Sequence, residues 1–175
     1  MKILYILATL TCAFVLTAQA KVLVSPIDAM HENFGADTTV TKKNILLNKA
    51  DVKKVQTSAK TKLDTKIYRI YIAKKDDKPV GYGVLVNKKV RSKNTVVLYL
   101  IKNAMLQDIQ IIAFNEPQEY LPSKTWTEQF QNRKTDKMLK LSREIPTITG
   151  ATLSAKAVTD GSRIAFAIYN TLLKG

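Results

Sequence analysis

Residues 80–86 read VGYGVLV. Val80, Tyr82, Val84 and Val86 fall on one face of an extended chain, and Gly81 and Gly83 fall on the other, because side chains alternate along a strand with a period of two. One face is bulky and apolar. The other gives up its side chains, which in a strand marks a place where a second element approaches closely.

Working outward, KIYRIYIA (66–73) is rich in Ile and Tyr, and KKDDKP (74–79) reads as a charged turn between it and the glycine strand. Downstream, TVVLYLI (95–101) and MLQDIQIIAF (105–114) continue the pattern. Four strands in succession with short connections predict an antiparallel meander, since parallel pairing needs long crossovers.

Helical signals flank the strands. Ser25-Pro26 opens a short helix with Asp28 near its positive end and Gly35 as its stop. Asn48 caps a second, in which Val52, Val55 and Ala59 recur at helical spacing. Pro122-Ser123 opens a third that puts Trp126 and Phe130 on one side. Ala155, Val158, Ser162, Ala165, Tyr169 and Leu172 fall three or four apart and predict a closing helix to about Leu173. The fold expected is α+β: a twisted antiparallel sheet of about four or more strands, helices packed on one of its faces, and helices at both ends.

The first twenty residues, MKILYILATLTCAFVLTAQA, have a cationic start, a short apolar run and Ala18-Gln19-Ala20. They read as a secretory signal peptide cleaved after Ala20, giving an exported, periplasmic protein; the alternative is a membrane anchor that stays uncleaved. The one cysteine, Cys12, would leave with the leader. Residues 21–175 then form a single domain that folds on packing alone, without disulfide or thiolate metal site. The chain carries 28 Lys and Arg against 14 Asp and Glu, a net charge of +14. Export argues against nucleic acid as the partner. An anionic membrane surface, an acidic protein or an anionic cofactor remains.

Classical catalytic chemistry has little to build on. The single histidine, His31, sits beside Glu32 with no local nucleophile and reads as a surface residue. No zinc, EF-hand, P-loop or G-x-S-x-G pattern is present, so no metal site is expected. Tyr120 and Trp126, with Phe114 and Phe130, read either as core or as the wall of a cleft for a flat ligand. The remaining candidate is TITGATLS (147–154), just ahead of the closing helix. A helix start offers unpaired N–H groups and a partial positive charge, which suit phosphate. Gly150 and Ala151 let a ligand come close, and Thr149, Thr152 and Ser154 add hydroxyls. The plain alternative is a capping loop with Thr152 or Ser154 as N-cap.

TGATLS (149–154) resembles the S/T-G-A-T-x-S signature of the FMN-binding domain family, which includes the extracytoplasmic flavin subunits of Rnf-type complexes and of sodium-pumping NADH:quinone reductases. VGYGVLV is similar to that family's G-Y strand, EPQEYLPSKTWTEQF (116–130) to its segment before the motif, and SAKAVTDGSRIAFAIY (154–169) to its closing helix. The resemblance covers about 66–173. It implies an FMN-binding domain in which Thr152 carries FMN through a phosphoester, installed by a flavin transferase. Thr149, Gly150, Ala151, Leu153 and Ser154 would frame the cofactor, with Tyr120 and Trp126 beside it. The chain departs from the family pattern at Pro146, where members often carry Asp. The resemblance implies an electron carrier more than a stand-alone catalyst, working with membrane or periplasmic redox proteins. The motif itself fixes no cation; Lys140 and Arg143, near it in the chain, are candidates to stand beside a reduced flavin. Two alternatives stand beside it: non-covalent binding of FMN or another anionic ligand, and a flavin-free basic accessory protein at the membrane surface.

Overall fold

The alternation at 80–86 is the middle of a longer strand. A computed structural model describes residues 22–174, and in it β3 runs Lys78–Lys89 between β2 (Ile67–Lys75) and β4 (Asn94–Lys102), with β5 (Met105–Phe114) beyond. All pair antiparallel; Val84 stands opposite Ile70 on one side and Tyr99 on the other. The β2–β3 and β4–β5 turns place two residues each at positive φ, Asp76-Asp77 and Asn103-Ala104. Two successive left-handed residues give a turn whose twist matches that of the strands it joins.

Two further strands complete a sheet in the order β1 to β6. β1 (Thr39–Leu46) pairs along its whole length with β2, and β6 (Arg133–Lys134) pairs with the start of β5. In β1 only Val40 and Ile45 are even half-buried. An edge strand wet on both faces needs no apolar alternation, so TVTKKNIL carries none.

The helices cover both faces, not the one expected. α1 (Pro26–Phe34) packs Ala29 and Met30 with Tyr71, Ala73, Leu98, Leu100 and Ile112. α2 (Lys49–Ala59) and α4 (Thr152–Ile168) pack on the opposite face over Ile70, Val84, Val97, Tyr99 and Ile101. The glycines account for α1. A Cβ built on Gly81 would lie 2.5 Å from the Phe34 ring, and one on Gly83 would lie 2.6 Å from Met30 Sδ. The bare side of β3 is where α1 lies down.

Local sequence sets the helix ends. Asn48 and Asp51 form a capping box at α2. Ser123 accepts the Trp126 N–H at 3.2 Å and starts α3 (Lys124–Thr127), which passes into a 3-10 turn over Glu128–Phe130. The Trp126 and Phe130 rings meet edge-on at 5.2 Å. α4 continues as a π-helical turn over Tyr169–Leu173. Its height on the sheet is fixed by Tyr99, which is buried and donates its hydroxyl to the Val158 carbonyl at 2.7 Å. Residues 1–20, expected as a signal peptide, lie outside the described residues. Among the described residues no helix is long and apolar enough to cross a membrane.

Candidate cofactor site

The segment leading into α4 has little regular structure and is tied down at three points. Leu139 and Ile145 are buried in the main core. The Trp126 indole donates Nε1–H to the Pro146 carbonyl at 2.9 Å. The Ala151 N–H then closes a turn on the Ile148 carbonyl at 3.0 Å, with Gly150 at φ +79°. That φ strongly favours glycine. Nothing lies within 4 Å of where a Gly150 side chain would begin, so the space above the turn is open.

α4 starts at Thr152 with Ala151 as its N-cap, and no side chain caps it. The capping alternative, which gave that job to Thr152 or Ser154, is therefore set aside. The first-turn amides of Thr152, Leu153 and Ser154 are donors that the helix itself cannot satisfy. Thr152 is exposed, and its hydroxyl makes one long contact, 3.4 Å to the Ile148 carbonyl. Ser154 is the reverse: 1% exposed, with its hydroxyl oxygen unpartnered. A buried hydroxyl without a partner costs about 1–3 kcal/mol. Ser154→Ala should therefore stabilise the ligand-free protein by up to about 1 kcal/mol, read as a rise in melting temperature. A loss of stability would mean that the hydroxyl has a protein partner after all.

These residues form one wall of a half-open cavity of about 260 Å³. Gly150 to Ser154 supply that wall; Tyr120, Val90, Arg91 and Glu116 supply the other. Tyr120 is placed there by a 3-10 turn over Gln118–Tyr120. A larger hollow of about 540 Å³ lies elsewhere, between Lys62–Thr65 and Asn87, Lys89 and Asn94. It has surface lysines but no helix end and no orphaned buried group, so the smaller cavity is the better-built site.

Of the residues expected at the site, Gly150, Ala151, Thr152, Leu153, Ser154 and Tyr120 line the cavity. Thr149 stands exposed beside it. Trp126 does not line it; it is buried in the main core and acts through its hold on Pro146. Lys140 and Arg143 are exposed outside it, and the cation on its wall is Arg91. His31, in the last turn of α1, has Nδ1 3.4 Å from the Gly35 carbonyl, a local contact far in the chain from any of these.

Glu116 is also on the wall. Its carboxylate accepts the Arg91, Ser92 and Lys93 amides at 3.0, 2.7 and 2.7 Å. Those hydrogen bonds, the one from Lys93 first, hold its pKa below the ordinary 4.5 against the opposing effect of burial. A carboxylate depressed in the folded state stabilises it above its unfolded pKa. That contribution fades only as pH falls through the lower folded value.

The residues present fit the phosphate end of an FMN: unpaired helix amides, an orphaned hydroxyl, open space over a glycine and an exposed threonine oxygen. No family model matches the chain. It is similar to one component of the Na(+)-translocating ferredoxin:NAD(+) oxidoreductase complex of Acetobacterium woodii, at 26% identity over 136 residues. The match takes in 71% of this chain and 66% of that component, just under two thirds of the relative's length.

Proposed function

We propose that this protein is an exported electron-transfer flavoprotein that carries FMN through a phosphoester to Thr152 and relays electrons between a membrane redox partner and another carrier or reductase. The observation that carries the reading is the uncapped start of α4. The Thr152 hydroxyl lies there beside three unpaired amides and a buried, unpartnered Ser154 hydroxyl, on the wall of a cavity. Similarity to a component of a ferredoxin:NAD(+) oxidoreductase complex supports both the redox role and membrane partners.

The flavin ring supplies the electron chemistry. The chain's own residues bind and place it. Threonine is neither acid nor base near neutral pH, so Thr152 acts as a tether, and its esterification sacrifices only the long contact to Ile148. The α4 amides and helix dipole offset the charge of the phosphodiester. Arg91, on the facing wall of the same cavity, is a cation that would favour a negatively charged cofactor. A tether suits an exported protein, since a cofactor lost outside the cytoplasm is not replaced.

Coexpression with a flavin transferase, followed by intact-mass measurement, tests the reading. The expected product begins after Ala20, carries one FMN increment, and fluoresces in a denaturing gel under ultraviolet light. Flavin that co-purifies but is lost on denaturation would select non-covalent binding, the reading that Pro146 in place of the family's Asp favours. A colourless product that binds anionic vesicles in a salt-sensitive manner would select the accessory protein.

A further inference from the structure

Glu116 lies two residues beyond β5 and is 6% exposed. Three consecutive amides, from Arg91, Ser92 and Lys93, converge on its Oε1, and the Ser92 hydroxyl lies 3.4 Å from Oε2. Successive N–H groups aimed at one point form a nest, the backbone's own anion-binding concavity. This one belongs to the β3–β4 turn, 23–25 residues upstream in the chain, and is filled from within by a side chain. The same turn presents Val90 and Arg91 to the cavity, facing Gly150 to Ser154.

We infer that Glu116 is a positioning residue of the cofactor site: it pins the 90–93 turn so that Arg91 stands on the cavity wall opposite the start of α4. The inference rests on the flavin reading of that cavity. Without the carboxylate, three parallel amides would face one another with no acceptor. The turn would open toward water, and Arg91 would leave the wall with it. The freed nest would also compete for an anion. With Glu116 in place, the anion seat left open on this cavity is the α4 end, so a phosphate is directed to Thr152.

Two measurements on the full-length chain test this. The first needs no flavin. In amide NMR spectra, Glu116→Ala should move the Ser92 and Lys93 protons upfield and speed their exchange with solvent, and added acetate should reverse both changes. In the unmodified chain those two amides should titrate together, below the ordinary carboxylate range. Among the residues of the turn and the cavity lining, the charged or titratable groups beside Glu116 are Arg91 and Lys93 on the turn and Tyr120 on the same wall; Gly150 to Ser154 contribute none. Glu116→Gln keeps one acceptor oxygen at the same reach and should preserve the amide positions, which covers the case of an alanine variant that does not fold. The second measurement is the midpoint potential of the flavin-loaded protein. Arg91→Ala should lower it in the unmodified chain and should no longer shift it in a Glu116→Ala background, whatever the loss of the carboxylate charge does by itself. Amides that ignore Glu116→Ala, amides that lose their positions in Glu116→Gln, or an Arg91→Ala shift that persists unchanged in the Glu116→Ala background, would overturn the inference. Amides that behave as expected in a chain that never takes up flavin would overturn the flavin reading and leave the pinned turn standing.

Discussion

Thr152→Ala should abolish flavin attachment outright and leave the fold unchanged. The side chain is exposed and does not cap α4. Its hydroxyl has only the 3.4 Å contact to Ile148 to lose. Substitutions at such positions usually change stability by less than about 0.5 kcal/mol, and alanine is the better helix former. The melting temperature of the flavin-free protein should therefore barely move, while the FMN mass increment and the gel fluorescence disappear together. Thr149→Ala is the matched control: one position outside the cavity wall and exposed, it should keep the label. A label that survives Thr152→Ala, or that follows Thr149, would place the attachment elsewhere and remove the case for the α4 start as the site. Unfolding of the Thr152 variant would contradict the exposure on which the argument stands.

The contrast between these two threonines shows how far the primary structure carries the site. TITGATLS is contiguous, so its part of the cavity was legible: a helix start, a glycine turn and a run of hydroxyls all leave local traces. Arg91 and Glu116 leave none. They stand 25 positions apart, on a charged turn and in a polar segment after β5, and only the β3–β4–β5 meander brings them together. Nothing in VRSKN (90–94) separates a cavity wall from an ordinary solvated turn. Trp126 had two readings, core or cleft wall, and it sits in the core. An amphipathic aromatic near the motif suits a pocket edge, yet its indole is better satisfied by the Pro146 carbonyl, and its ring by Phe130.

The fold divides along the same line. Alternation found β2 to β5 because each buries at least one face. It missed β1 because an edge strand wet on both sides has no period to show. The glycines of β3 announced a close neighbour correctly, but not that α1 would be that neighbour or that it would lie across the sheet from α4.

A glycine inside α4 shows the limit of local reading in energetic terms. Gly161 lies mid-helix, where alanine is worth about 1 kcal/mol more than glycine. Propensity alone therefore predicts that Gly161→Ala stabilises the protein. The structure reverses the sign. A Cβ at Gly161 would run into the Tyr99 hydroxyl, with ring carbon Cζ only 3.0 Å away. Tyr99 has little room to retreat: it is 1% exposed, and its hydroxyl is bonded to Val158 one helical turn earlier. Overpacking of this kind costs about 1–3 kcal/mol and sometimes more. The upper part of that range is expected here, because the clash meets a pinned ring and also strains a buried hydrogen bond. Gly161→Ala should thus lower the unfolding free energy by about 1–2 kcal/mol after the propensity gain, measurable by urea titration. Tyr99→Phe removes the clashing oxygen, so the double variant should be more stable than the two single effects add up to. Strict additivity would mean that α4 shifts to accommodate the methyl group. That shift would carry Thr152 and Ser154 with it, so the same variant, flavin-loaded, should then show an altered flavin circular dichroism spectrum. A stable Gly161→Ala protein with an unaltered spectrum would mean that Tyr99 does not set the height of α4 on the sheet.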